Sequence, residues 1–151
     1  MGIQAKIKIL APMKVGVIGA GVMGRGIAQV SAMAGHQVVL FDINHDVLEA
    51  AQVAVKKNLE KAISIGKLDD AGMEATLQNL TYSNSIADVQ VELIIEAIVE
   101  KLEVKSKVLK TLAEINGRDT IYASNTSSIP LTQIAANFDF PDRVVGIHYF
   151  N

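Results

Sequence analysis

The chain contains no cysteine, no tryptophan and only three prolines. Without cysteine there are no disulfides, no thiolate metal ligands and no cysteine nucleophile. That fits a reducing compartment, and a cytoplasmic location is expected. Charge of one sign is also missing: 14 basic residues face 16 acidic ones, for a net charge of −2. There is no basic cluster, so no nucleic-acid partner is expected. No apolar run approaches the roughly 20 residues of a membrane span, so no membrane partner is expected either. Residues 1–12 carry two lysines that interrupt their apolar side chains, and they lack the long apolar core of a secretory signal. What the chain has is apolar substance. Half of its 151 residues are hydrophobic, enough for one domain with a real core and hardly for two.

Apolar β-branched runs alternate with helical patterns, which predicts βαβ units and a parallel sheet. The expected strands are Lys14–Ile18, Gln37–Asp42, Leu80–Tyr82, Val91–Ala97, Thr120–Ser124 and Arg143–His148. Helices are expected over Met23–Ala34, about Asp46–Ile65, about Leu68–Leu77, Leu102–Ile115 and about Ile129–Ala136, with a turn at Pro141-Asp142. The third strand is short and reads as an edge. Right-handed crossovers then give the doubly wound order 3-2-1-4-5-6, an α/β fold of Rossmann type with a long helical excursion after the second strand. Residues 1–12 read as an extension, since Met13 would serve as a start, and residues 13–151 as the domain.

The motif with the most chemistry is Gly19-Ala20-Gly21-Val22-Met23-Gly24, which joins the first strand to its helix. In the form G-x-G-x-x-G, Gly19 allows the tight turn. Gly21 lets a pyrophosphate approach the backbone, and Gly24 lets the helix pack closely on the strand. Free N–H groups at the helix start then face the phosphates. Asp42 lies at the spacing where a carboxylate meets the adenosine ribose, and it would repel a 2′-phosphate. Ile43 and Asn44 supply no cation. NAD is therefore expected as cofactor, in preference to NADP.

In doubly wound sheets ligands collect beyond the carboxyl ends of the strands. That rule selects Gly19, Asp42, Ala97-Ile98-Val99-Glu100, Ser124-Asn125-Thr126-Ser127-Ser128 and His148. The Ser124–Ser128 run reads equally as capping of the next helix or as a grip on a substrate oxygen. His148 reads as an acid–base near the nicotinamide end, or as a core histidine bonded to backbone. His36 and His45 read as solvated. Glu100 and Lys105, among Lys101, Glu103 and Lys107, read as a solvated helix face, as do Lys56, Lys57, Glu60, Lys61 and Lys67.

The stretch Gly19–Ala28, the segment Glu96–Glu100, the run Ser124–Ser128 and Gly146-Ile147-His148-Tyr149-Phe150-Asn151 together resemble the L-3-hydroxyacyl-CoA dehydrogenases. The likeness runs from about Lys14 to the end. It implies reversible oxidation of an L-3-hydroxyacyl-CoA to the 3-ketoacyl-CoA with NAD, in a homodimeric enzyme of fatty-acid β-oxidation. Gly19, Gly21, Met23 and Gly24 would line the pyrophosphate turn, with Asp42 on the adenosine ribose. Glu100 and Lys105 would lie near the nicotinamide-side ribose. Ser127 would bond the substrate's 3-oxygen, and His148 would be the catalytic acid–base. Asn151 matches the asparagine after the His-aromatic-Phe triplet. Lys61 or Lys67 would reach the CoA phosphates, and the long excursion resembles the family's helical arm.

The family continues past that asparagine with a proline, a glutamate that partners the histidine, and a helical domain that closes the cleft and forms the dimer. This sequence stops at Asn151. The chain is expected to be the cofactor-binding half, binding NAD weakly and turning over slowly or not at all. Two other readings remain: an enzyme like the L-gulonate 3-dehydrogenases, and a cofactor-binding module without catalysis.

Overall fold

A computed structural model describes residues 11–150. Six strands form one parallel sheet: β1 (Lys14–Ile18), β2 (Gln37–Phe41), β3 (Leu80–Ser83), β4 (Leu93–Glu96), β5 (Ile121–Ser124) and β6 (Val144–Gly146). Their order is β3-β2-β1-β4-β5-β6, as the crossover rule requires. The helices are α1 (Val22–Met33), α2 (His45–Ser64), α3 (Asp70–Gln78), α4 (Leu102–Asn116) and α5 (Leu131–Ala136).

Strand alternation divides the core in two. Val15 and Val17 of β1 pack with Ile27, Ala28 and Ala32 of α1 on one face. Leu48, Ala51, Val55 and Leu59 of α2 join them, at the three-to-four-residue spacing of one helical stripe. Ile18 points to the other face, where Leu109, Leu112 and Ala113 of α4 pack with Tyr122 and Ile134. The sheet is thus covered on both sides, and its carboxyl edge is left open for the loops.

Local signals set the helix ends. The Asn44 side chain accepts from Asp46 N–H at 2.9 Å and starts α2. Asp69 accepts from Gly72 N–H at 2.7 Å and starts α3. Gly66, at φ +71°, turns the chain between them. The 20 residues of α2 extend about 30 Å.

Some boundaries differ from the sequence reading. α5 begins at Leu131, because Pro130 takes its N-cap position. A short 3-10 turn at Ile86–Asp88, not anticipated, leads into β4. β6 is three residues long, and its burial runs from half-buried to exposed. The strand expected over Arg143–His148, with a buried end, is therefore corrected: Arg143 belongs to a 3-10 turn and His148 lies two residues past β6. The reason is the length of its neighbour. β5 ends at Ser124, whose carbonyl accepts from Ile147 N–H at 3.2 Å, and the next bond, from Tyr149 N–H, goes to the Asn125 side chain at 2.9 Å.

Candidate active site

The glycine turn is locked by contacts that only glycine permits. Gly19 has φ +100°, and a Cβ there would lie 2.7 Å from the carbonyl oxygen of Ala97. A Cβ on Gly24 would collide with the carbonyl oxygen of Gly19. At Gly21 nothing lies within 4 Å of the Cβ position, so the backbone there faces open space. No side chain caps the start of α1. The first N–H groups of that helix are donors in need of an acceptor, with the positive end of the helix dipole behind them. The residues present therefore fit a diphosphate.

Asp42 contributes more than a ribose contact. Its Oδ2 accepts from Ala20 N–H and its Oδ1 from Asn44 N–H, each at 2.9 Å. The carboxylate thus ties the end of β2 to the glycine turn, and each oxygen keeps a lone pair for a sugar hydroxyl. Gly19, Gly21 and Asp42 line a cavity of about 350 Å³ whose walls are mainly apolar, among them Ile43, Val47 and Ile98. No cation lines it, which matches the expected preference against a 2′-phosphate.

A second cavity, of about 340 Å³, meets the first at Ala97 and Ile98. Met23, Glu100, Ser127 and His148 line it. The loops chosen by the edge rule converge here. His148 is exposed, and its ring stacks at a tilt on Phe150, 4.3 Å between centroids. Among the described residues its imidazole has no hydrogen-bond partner, which removes the reading of a backbone-bonded core histidine.

The five polar residues after β5 divide their work. Ser124 is buried and donates to Glu96 Oε2 at 2.6 Å. Asn125 holds Tyr149. Thr126 and Ser128 both donate to Glu100 Oε1, the latter at 3.0 Å. Ser127 alone is exposed with no partner among the described residues, and it faces the cavity. Capping of α5 is not their task, since that helix has no side-chain cap.

Glu100 is exposed, as expected, though in the loop before α4 rather than on its face, and the solvated reading of Lys105 is corrected. Lys105 is 0 % exposed, and its Nζ lies 2.7 Å from Glu96 Oε1 and 3.1 Å from Glu100 Oε2. It sits on the apolar stripe of α4, four residues before Leu109, and that position was the available signal. The ammonium reaches the cleft through Glu100 rather than directly. Burial pushes the Glu100 carboxyl up, but hydrogen bonds from Thr126, Lys105 and Ser128, with the Lys105 charge, outweigh it and hold the pKa at about 2. Because the folded value lies below the ordinary 4.5, the stabilisation is full above that pH and is lost as pH falls towards 2. The protein and its Glu100→Gln variant should differ in thermal stability at neutral pH. That gap should close between pH 4.5 and about 2; a constant gap in acid titrations would contradict these contacts.

Lys61 lies outside both cavities. It lines a groove between α1 and α2 with Arg25 and Lys57, and a neighbouring one with Asn58 and Tyr149. Tyr149 also borders the His148 cavity, so this second groove adjoins the site. Lys67 lines none of these spaces. Lys57 read from sequence only as part of a solvated face, and Arg25 had no separate reading, because its nearness to Lys57 and Lys61 depends on how α1 and α2 pack. His36 is also corrected: it is half-buried, and its Nδ1 accepts from Met13 N–H at 3.2 Å. His45 is exposed beside Glu49, as expected. Asn151 lies outside the described residues.

An open glycine turn at a helix start, with an acid beyond the second strand, defines a dinucleotide-binding domain. The comparisons narrow the class. Residues 14–151 match the family model described as "3-hydroxyacyl-CoA dehydrogenase, NAD binding domain", and the chain belongs to that family. A 3-hydroxybutyryl-CoA dehydrogenase of Mycobacterium tuberculosis is 41% identical over 93% of this chain and 50% of its own length. A 3-hydroxyadipyl-CoA dehydrogenase of Escherichia coli is 44% identical over 91% of this chain and 29% of its own. The crystal structure of M. tuberculosis FadB2 superposes with a TM-score of 0.89 at 41% identity, over 93% of this chain and 50% of that one. The chain thus spans half or less of these relatives. It is an NAD-binding domain, and the hydroxyacyl-CoA reading is favoured over a gulonate dehydrogenase or a bare module. Among the described residues no helix is long and apolar enough to cross a membrane.

Proposed function

We propose that this domain serves an enzyme that interconverts an L-3-hydroxyacyl-CoA and its 3-ketoacyl-CoA. The observation that carries the reading is the pairing of His148 and Ser127, both exposed and without a side-chain hydrogen-bond partner among the described residues, in a cavity continuous with the dinucleotide cleft. Bound NAD supplies a hydride acceptor in that cleft. The Ser127 hydroxyl donates to the 3-oxygen and holds it still. The His148 imidazole takes the hydroxyl proton as the carbonyl forms, and returns it in the reverse direction. Met23 borders the same space, and Glu100 accepts from a sugar hydroxyl. Arg25, Lys57 and Lys61 present cations to the phosphates of CoA from the groove one step beyond, which shares Asn58 and Lys61 with the groove that adjoins the site. The absence of cysteine supports a cytoplasmic setting, and the family likeness supports a homodimer for the complete enzyme.

The test uses a form that includes the second half found in the relatives. It should oxidise NADH with acetoacetyl-CoA, and NADPH at least about tenfold less efficiently. Turnover of L-gulonate without turnover of the thioester would reject the reading.

A further inference from the structure

Glu96 is the anomalous residue of β4. It ends a strand whose other three members are apolar, and it is 0 % exposed. Neither cofactor nor substrate touches a group so enclosed. Its carboxylate is nonetheless fully engaged. Oε1 accepts from Ile98 N–H and from Lys105 Nζ, each at 2.7 Å. Oε2 accepts from Ser124 Oγ at 2.6 Å and again from Lys105 Nζ at 2.9 Å. Each of these bonds leads to the cleft. Ile98 lines both cavities. Ser124 opens the loop that carries Ser127. Lys105 passes on to Glu100, which faces the His148 cavity.

We propose that Glu96 is a positioning residue for the nicotinamide half of the cofactor, acting through Lys105 to present Glu100 to the cleft. A buried ion pair is weak ground for stability, since desolvation offsets much of the attraction. What this one provides is direction. An ammonium has three hydrogens; two meet the Glu96 oxygens and one meets Glu100. Without the Glu96 charge, the ammonium turns wholly to Glu100 and draws that carboxylate away from the cavity. The inference needs the NAD cleft and does not depend on the acyl-CoA substrate.

Glu96→Gln tests it, because the amide oxygen still accepts from Ile98 N–H while the charge is gone. Calorimetric titration should show NADH binding weakened about tenfold. Binding of ADP, which ends before the second ribose and meets mainly the Asp42 side, should change less than about twofold. Equal losses for both ligands would reduce Glu96 to a fold-holding role and overturn the proposal, as would unchanged NADH binding. If the unsubstituted protein binds neither ligand, the cleft itself is misread, and that failure is distinct. Should Glu96→Gln not fold, Ser124→Ala removes one bond to the same carboxylate. It should weaken NADH about threefold with ADP unaffected, and unchanged NADH binding would again overturn the proposal.

Discussion

Replacing His148 with alanine should lower kcat by about 10³-fold in a catalytically active form of the protein, and leave the Kd for NADH unchanged. The split follows from position. His148 stands past the end of β6, exposed, with no bond to the glycine turn or to Asp42. Removing it takes a proton acceptor from the cavity without disturbing the diphosphate site. The Phe150 ring beside it stays available as an apolar wall. His148→Gln should be as impaired as the alanine variant, because an amide fills the space and still cannot accept the proton. Pre-steady-state absorbance at the NADH band, with fluorescence titration of the same samples, reads both quantities. A variant that keeps most of its kcat would remove His148 from the chemistry.

The order of six strands and the glycine turn were legible because both are written locally. The strand–turn–helix motif occupies 20 consecutive residues, Lys14–Met33, and the crossover rule then leaves little choice of topology. Asp42 was legible as a ribose ligand by its spacing. Its clamp on Ala20 N–H was not, since that bond spans 22 residues and depends on how β2 ends. The Glu96–Lys105 pair was hidden for another reason. Lys105 is surrounded in sequence by Lys101, Glu103 and Lys107, so it reads as one more charge on a wet face. Only the helical phase sets it apart, three residues after Leu102 and four before Leu109. The serine run showed the converse. Apart from Ser127, which the family resemblance set aside, these adjacent polar residues looked interchangeable, and their separate roles appear only when Glu96 and Glu100 approach from β4 and the loop after it. Long-range pairing is what one-dimensional reading lacks.

Gly24→Ala should abolish measurable NADH binding, a loss of at least about 100-fold, and lower stability by about 1–3 kcal/mol. The added methyl would enter the space of the Gly19 carbonyl oxygen, a backbone atom with no rotamer to escape into. Gly19 has little freedom to retreat. Its own N–H donates to the Phe41 carbonyl at 2.8 Å, and the Ala97 carbonyl lies against its Cβ position at 2.7 Å. Either α1 must lift from β1 or the turn must open, and both outcomes misplace the N–H groups that meet the diphosphate. Gly21→Ala separates the two consequences. Its φ of −64° suits any residue, and its Cβ position is empty. That variant should keep its Tm, yet bind NADH at least about tenfold more weakly, because the methyl stands where the phosphates approach. Thermal melts and NADH titrations on the pair then distinguish packing from access. If Gly21→Ala bound NADH as tightly as the unsubstituted protein, the diphosphate would have to lie elsewhere than over this turn.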